Sequence, residues 1–138
     1  MSREQNIATQ ERFGEEVVAG GNFDAVDELV APDFVDHDPA PGQAPGPDGL
    51  KGFFATMRAG LPDLSVSVEQ LVADDEYVTI AYRITGTHQG DLLGVPATGR
   101  SVDVRGVQIG KFRDSLLVER WGSSDQLGML QQIGAWAG

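Results

Sequence analysis

The chain has 138 residues, no cysteine, and 21 acidic against 10 basic side chains for a net charge of -11. Such a length predicts one domain, residues 1–138, with a core that needs neither disulfides nor a thiolate-held metal. Lys51 and Lys111 are its only lysines and no basic run exists, which excludes the clustered cations that nucleic acid or an anionic membrane surface requires. No apolar run approaches membrane-spanning length, and the first ten residues lack a signal-peptide core, so a cytoplasmic location is expected.

Residues 2–20 carry Ile7, Phe13, Gly14, Val17 and Val18 at helical spacing, and Gly20-Gly21 is a natural stop. Asn22 suits the cap of a second helix with Phe23, Val26, Leu29 and Val30 as its stripe, ended by Ala31-Pro32. A short extended piece, Asp33-Phe34-Val35-Asp36-His37, runs into a Pro- and Gly-rich segment at 38–47. That density forbids helix or inner strand and reads as a connector or a flap over a cavity. Pro47 and Asp48 open a third helix, with Leu50, Phe53, Phe54, Met57 and Leu61 at helical spacing.

The period then changes to two. Val66, Val68 and Val72 belong to one strand, and Val78, Ile80, Tyr82 and Ile84 to the next, whose register carries Gly86 and His88 to the apolar side. A Gly/Pro-rich loop at 89–99 leads to a third long strand at 100–112. There Val102 and Val104 give way to Val107 and Ile109, which predicts a parity switch, by a bulge or bend, at Gly106. The last strand begins at Leu116, holds Trp121 near its end, and turns through Gly122, Ser123 and Ser124 into a short apolar helix opened by Asp125. The fold class is α+β, with the helices packed on one face of a bent antiparallel sheet.

The candidate chemistry converges on Asp125, an acid at a strand end beside Trp121 and followed by a helix that can close over it. The competing reading is a helix cap, since Ser123, Ser124 and Asp125 all suit that role and Ser123 with Gln126 has capping-box spacing. Burial beside Trp121 pushes a carboxyl upward and a helix N-terminus pulls it down, so a working acid–base Asp125 must face the cavity and not its own helix. His37 and His88, the only histidines, are expected at strand ends near one mouth, as carbonyl-polarising groups or as satisfied structural imidazoles. A metal site from Asp36, His37, Asp38 and His88 lacks His-x-His or HExxH spacing, so no metal is expected.

Several stretches together resemble one family: Phe34-Val35-Asp36-His37, Leu61-Pro62-Asp63-Leu64, Gly86-Thr87-His88-Gln89-Gly90, the loop through Gly94, Pro96 and Arg100, Val118-Glu119-Arg120-Trp121 followed by Asp125, and Leu130-Gln131-Gln132-Ile133-Gly134. In this order they resemble the SnoaL-like polyketide cyclases, of the nuclear-transport-factor-2-like cone fold shared with ketosteroid isomerases and limonene epoxide hydrolases. The resemblance implies a cone-shaped pocket between curved sheet and helices, and a homodimer through the outer sheet face. It implies that Asp125 is the general acid/base of an intramolecular aldol closure, without metal, cofactor or covalent intermediate, and that His37 and His88 line the pocket. The chain departs from the family at Asp114-Ser115-Leu116, where an Asp-Gly-Lys turn is usual.

Phe34, Phe54, Met57, Tyr82 and Trp121 are the expected lining for a small apolar or polycyclic substrate, though each also reads as core. Tyr82 with a carboxylate raises isomerase-like chemistry. Asp103 and Arg105 share a strand face and with Asp125 raise an epoxide-hydrolase-like set, although an outward ion pair at the dimer interface suits them better. The rival from another class is a non-catalytic binding or dimerisation module. A pocket of about 300 Å3 or more with converging Asp125 and histidine favours the enzyme, and a cone filled by Phe and Leu favours the module.

Overall fold

The computed structural model describes residues 2–135. Its elements run α1 (Arg3–Arg12), a π-helix (Phe13–Ala19), a 3-10 turn (Phe23–Ala25), α2 (Val26–Leu29), β1 (Val30–Asp36), α3 (Gly46–Gly60), β2 (Ser65–Ala73), β3 (Tyr77–Thr87), β4 (Ser101–Arg113), β5 (Leu116–Ser124) and α4 (Gln126–Gln132). The five strands form one curved, open sheet in the order β1-β5-β4-β3-β2. Strands β2 to β5 are antiparallel neighbours, whereas β1 lies parallel to β5 at the edge.

Three local expectations give way to the structure. The first helix changes winding at Phe13, and the π-helical stretch places Val17 and Val18 in the core. The second helix is only a 3-10 turn and one α-helical turn, because Val30, Ala31 and Pro32 already belong to β1. Pro32 is tolerated there because β1 is an edge strand.

The third difference matters most for the site. Strand β4 keeps its pairing with β3 unbroken from Ser101 to Lys111, so no parity switch occurs at Gly106. Val102, Val104, Gly106, Gln108, Gly110 and Phe112 all face inward, and Val107 and Ile109 are simply exposed on the outer face. Gly106 and Gly110 are positions where neighbouring side chains pack directly on the strand. A Cβ on Gly106 would lie 2.5 Å from the Tyr82 hydroxyl, and one on Gly110 would lie 2.9 Å from Leu117 Cδ1. The real bulge is next door, where Lys111 and Phe112 pair with Glu119 and Leu117 and leave Val118 unpaired. Beyond it, Arg120, Gly122 and Ser124 face inward while Glu119 and Trp121 face out. Strand pairing continues to Ser124, so Gly122 and Ser123 do not form a turn.

The core lies between the inner sheet face and the helices. It is built from Val17, Val26, Leu29, Phe34, Leu61, Val78, Ile80, Tyr82, Ile84, Val102, Val104, Phe112 and Ile133, with Phe54 and Met57 packed against it. Among the described residues no helix is long and apolar enough to cross a membrane.

Candidate active site

A cavity of about 270 Å3 opens between the inner face of β4–β5, α1, α3 and the segment after β1. About half of its wall is aromatic or aliphatic, with Phe13, Leu29, Leu50, Phe53, Phe54, Phe112 and Leu117, and the rest is polar. Phe54 is fixed edge-on between Phe13 (centroids 5.6 Å) and Phe53 (5.1 Å), so this wall has a defined shape. The Pro/Gly-rich segment behaves as the flap reading anticipates, since Asp38, Pro39, Ala40, Pro41 and Gln43 all border the cavity.

One end is polar. Arg120 projects from β5 with its side chain 16% exposed and pairs with Asp36, 8% exposed, at Nη1–Oδ1 3.0 Å. Its Nε donates to Gln108 Oε1 at 2.8 Å. Asp36 also accepts from Gln43 Nε2 (3.1 Å) and from the Asp38 amide (3.0 Å), so its charge is fully answered. Gln43 in turn accepts from the Ala40 amide at 3.0 Å, which closes the flap segment on itself. Asp38 is different. Its Oδ2 accepts from the Gly122 amide at 2.8 Å, while its Oδ1 has no partner among the described residues and the residue is exposed at the cavity rim. The polar end therefore combines one satisfied anion–cation pair with one accessible carboxylate, a combination suited to moving a proton at an apolar ligand.

The residues singled out in the sequence are placed as follows. Asp125 is exposed and caps α4, its Oδ1 accepting from Gly128 N at 2.8 Å. It borders an open groove with Tyr82, Arg105 and Leu127, separated from the cavity by the shared wall of Ser123, Ser124 and Gln126. His37 lies on the outer face, where it stacks on Trp121 (4.6 Å, 9°) and meets Glu119 Oε1 at 2.9 Å. His88 is wholly buried and holds the 89–100 loop, with Nδ1 2.8 Å from Thr98 Oγ1 and Nε2 3.1 Å from the Val95 carbonyl.

The two imidazoles do not share a mouth, and neither they nor Asp125 border the cavity, so the convergence expected of an enzyme is not found at these three residues. His37 pairs at the Arg120–Gly110 level and His88 at Arg100, ten positions apart along β4, or roughly 30 Å of strand. Of the expected lining, Phe54 borders the cavity. Phe34 is buried in the core, Met57 packs against it, and Trp121 stands on the outer face. Tyr82 is buried with its hydroxyl 2.7 Å from Ser124 Oγ, behind the cavity wall. Asp103 pairs with Arg83 (2.6 Å) and Arg105 with Glu69 (3.1 Å) on the outer face; Arg105 borders the same open groove as Asp125, but Asp103 does not, so the three are not gathered into a hydrolase-like set. Among the described residues, no three His, Asp or Glu side chains are grouped as metal ligands.

Gln43, Gln108, Arg120 and Gly122 escaped the sequence reading. The available signal was Gln108: at constant parity it is a polar residue among inward-facing Val, Gly and Phe, which marks a cavity rather than a core position.

The outer-face histidine has a measurable effect. Glu119 is held below the usual carboxylate range, first by the hydrogen bond from His37 and further by the charge of Lys111. A depressed carboxyl contributes stability that is present above its ordinary value and lost as the pH falls through the lowered one. His37→Ala is expected to return Glu119 part of the way toward the ordinary range in a carbon-detected NMR titration. An unmoved midpoint assigns the whole depression to Lys111.

The comparisons agree with this architecture. The family model described as SnoaL-like polyketide cyclase matches residues 8–133. The chain belongs to the SnoaL-like polyketide cyclase family. Among solved structures, TsrD from Streptomyces laurentii is 25% identical, with 99% of each chain covered and a TM-score of 0.89. A candidate SnoaL-like polyketide cyclase from Jannaschia sp. CCS1 is 30% identical, covering 98% of this chain and 95% of that one at a TM-score of 0.84. IdmH, a candidate polyketide cyclase from Streptomyces antibioticus, is 32% identical, covering 94% and 99% at 0.81. No curated protein matches by sequence.

Proposed function

We propose that this SnoaL-like protein is a small acid–base enzyme that removes and returns a proton next to the carbonyl of an apolar, ring-bearing substrate held in the cavity. The observation that carries this reading is the Asp38 carboxylate, with one oxygen unengaged, at the rim of an aromatic cavity whose other charges are already paired. Aldol closure begins with this proton transfer: the C–H bond breaks and the carboxylate takes the proton, the enolate carbon attacks a second carbonyl within the same molecule as that C=O π bond opens to an alkoxide, and the alkoxide takes the proton back from the carboxyl. The reading needs no metal or cofactor. In support of a homodimer through the outer face, Val72, Val107 and Ile109 are exposed there and flanked by paired charges.

The test is α-proton exchange of 1-tetralone in D2O, followed by proton NMR. Wild type is expected to accelerate exchange, and Asp38→Asn to lose about 100-fold, the ordinary contribution of a general base. Asp125→Asn should exchange like wild type. Loss in Asp125→Asn with Asp38→Asn unaffected moves the base to the position that the family resemblance implies. No acceleration by wild type favours the non-catalytic binding module.

A further inference from the structure

We propose that His88 is an acid-sensitive latch for the 89–100 loop: its socket takes only a neutral imidazole, so a second proton frees the loop from α3 and lays its apolar residues open. The inference stands apart from the proton-transfer reading, because the loop lies far along the sheet from Asp38.

His88 is 0% exposed, and each ring nitrogen meets a group that fixes its protonation. Nε2 lies 3.1 Å from the Val95 carbonyl, which can only accept, so the single ring proton sits there. Nδ1 receives the Thr98 amide at 3.2 Å and lies 2.8 Å from the Thr98 hydroxyl. A hydroxyl can turn from donor to acceptor, but a backbone N–H cannot. A proton on Nδ1 would therefore face the Thr98 N–H and leave that buried amide without an acceptor.

The new charge would also lack a counterion. Asp63, between α3 and β2, spends its oxygens on the Thr87 amide (2.6 Å) and hydroxyl (2.8 Å). Asp91 is exposed on the loop, and Asp103 of β4 pairs with Arg83 on the outer face. The remaining charges are cations: Arg100 lies beside Gly134, and Arg58, in the last turn of α3, donates to the Val18 and Ala19 carbonyls. Helix α4 carries no charged residue. Among the described residues, none of these side chains bonds the ring. Burying an unpaired charge is costly, whereas an open loop gives the imidazole to water.

The loop's other fastenings carry no charge. The Gln89 and Gly90 amides donate to the Gly60 carbonyl at 3.0 and 3.2 Å, and Leu92 is buried. Two glycines make the joint flush: a Cβ on Gly60 would sit 2.8 Å from the Asp91 carbonyl, and one on Gly90 would sit 2.0 Å from that of Ala59. The tip is strained, since Leu93 holds a φ of 51° and is 42% exposed. Release relaxes that backbone and sets Leu92 and Val95 beside Leu93 as one apolar strip.

The closed form holds one proton fewer than the open form, so its stability falls as the pH falls. Below about pH 6.5, the ordinary value for an imidazole in water, each pH unit should cost the loop about tenfold in protection. The test is amide hydrogen exchange of the intact chain by NMR, with rates divided by those of unfolded peptide at each pH, alongside the His88 ring nitrogen shifts. Protection of Leu92, Val95 and Thr98 should fall about tenfold between about pH 6 and pH 5. Over the same range Val78 and Ile80 of β3 should keep theirs, and the ring of the closed form should stay neutral. His88→Gln, whose side-chain amide can serve the Val95 carbonyl without titrating, should show no such fall. Loop protection that ignores pH in wild type overturns the proposal, as does a doubly protonated ring in a loop that stays protected. An equal loss at Val78 and Ile80 is unfolding of the whole chain and overturns it too. A matching fall in folded His88→Gln assigns the effect to Asp63 or Asp91 instead of the imidazole. If His88→Gln does not fold, the wild-type ring and loop titrations decide alone.

Discussion

Asp36→Ala is expected to lower the stability of the chain by about 3 kcal/mol, the low end of the range for removing one partner of a buried ion pair. At this chain length that shift displaces the thermal midpoint by about 10 °C. The low end applies because the Arg120 side chain keeps 16% of its surface exposed and retains its bond to Gln108. More than one contact is lost. The Asp36 carboxylate gathers Arg120, the Gln43 side chain and the Asp38 amide, so its removal unfastens the flap from the sheet as well. Asp36→Asn retains one acceptor oxygen and the side-chain volume, and should fall between wild type and alanine. Proteolysis within residues 38–47 should rise in the same order. A midpoint within about 2 °C of wild type for Asp36→Ala would show that the pair is held by solvent-screened charge alone.

How far the sequence reveals this arrangement depends on which physical signal each part leaves. The helical spacing of Leu50, Phe53, Phe54 and Met57 and the alternation of Val78, Ile80, Tyr82 and Ile84 are strong periodic signals, and both elements stand as read. The Pro- and Gly-rich run at 38–47 is legible as a segment without regular structure as far as Pro45, although its last two residues, Gly46 and Pro47, already belong to α3. Strand β4 is where periodicity misleads. Val107 and Ile109 look like core because they are apolar, yet they lie on the outer face, and inward-facing Gly106, Gln108 and Gly110 look like an interruption. A one-residue error of parity exchanges the two faces of everything downstream.

The single unpaired residue at Val118 has the same kind of consequence. It puts Arg120 inside and Trp121 outside, and no composition or propensity signal announces it. The cap at Asp125 was visible as an alternative in the Ser-Ser-Asp run, since a side chain that can bond an amide three residues on needs no other partner. That the carboxylate turns to the Gly128 amide is a tertiary property that the sequence does not display.

His88→Leu is the second large effect, with an expected destabilisation of about 2–3 kcal/mol, and His88→Ala should lose about 1 kcal/mol more through the space it leaves. The partners assign the imidazole. The Val95 carbonyl can only accept, so Nε2 carries the proton, and the Thr98 amide donates to Nδ1 at 3.2 Å. Removing the ring takes one donor from the Val95 carbonyl, which keeps the Leu92 amide, and deprives the Thr98 amide and hydroxyl of their buried partner. The loss should spread to the 89–100 loop, because Gly90 packs so closely on α3 that a Cβ there would sit 2.0 Å from the Ala59 carbonyl. His88→Leu combined with Thr98→Val removes polar groups from both sides and should recover part of the deficit, as paired deletions of buried hydrogen-bonding groups do. The same variants separate an anchor from a catalyst. Since His88 sits far along the sheet from Asp38 and Arg120, folded His88→Leu at low temperature should still exchange the α-proton of 1-tetralone at the wild-type rate. A folded variant that has lost exchange would return the imidazole to the reaction, and with it the view that the catalytic centre lies at the far end of the sheet.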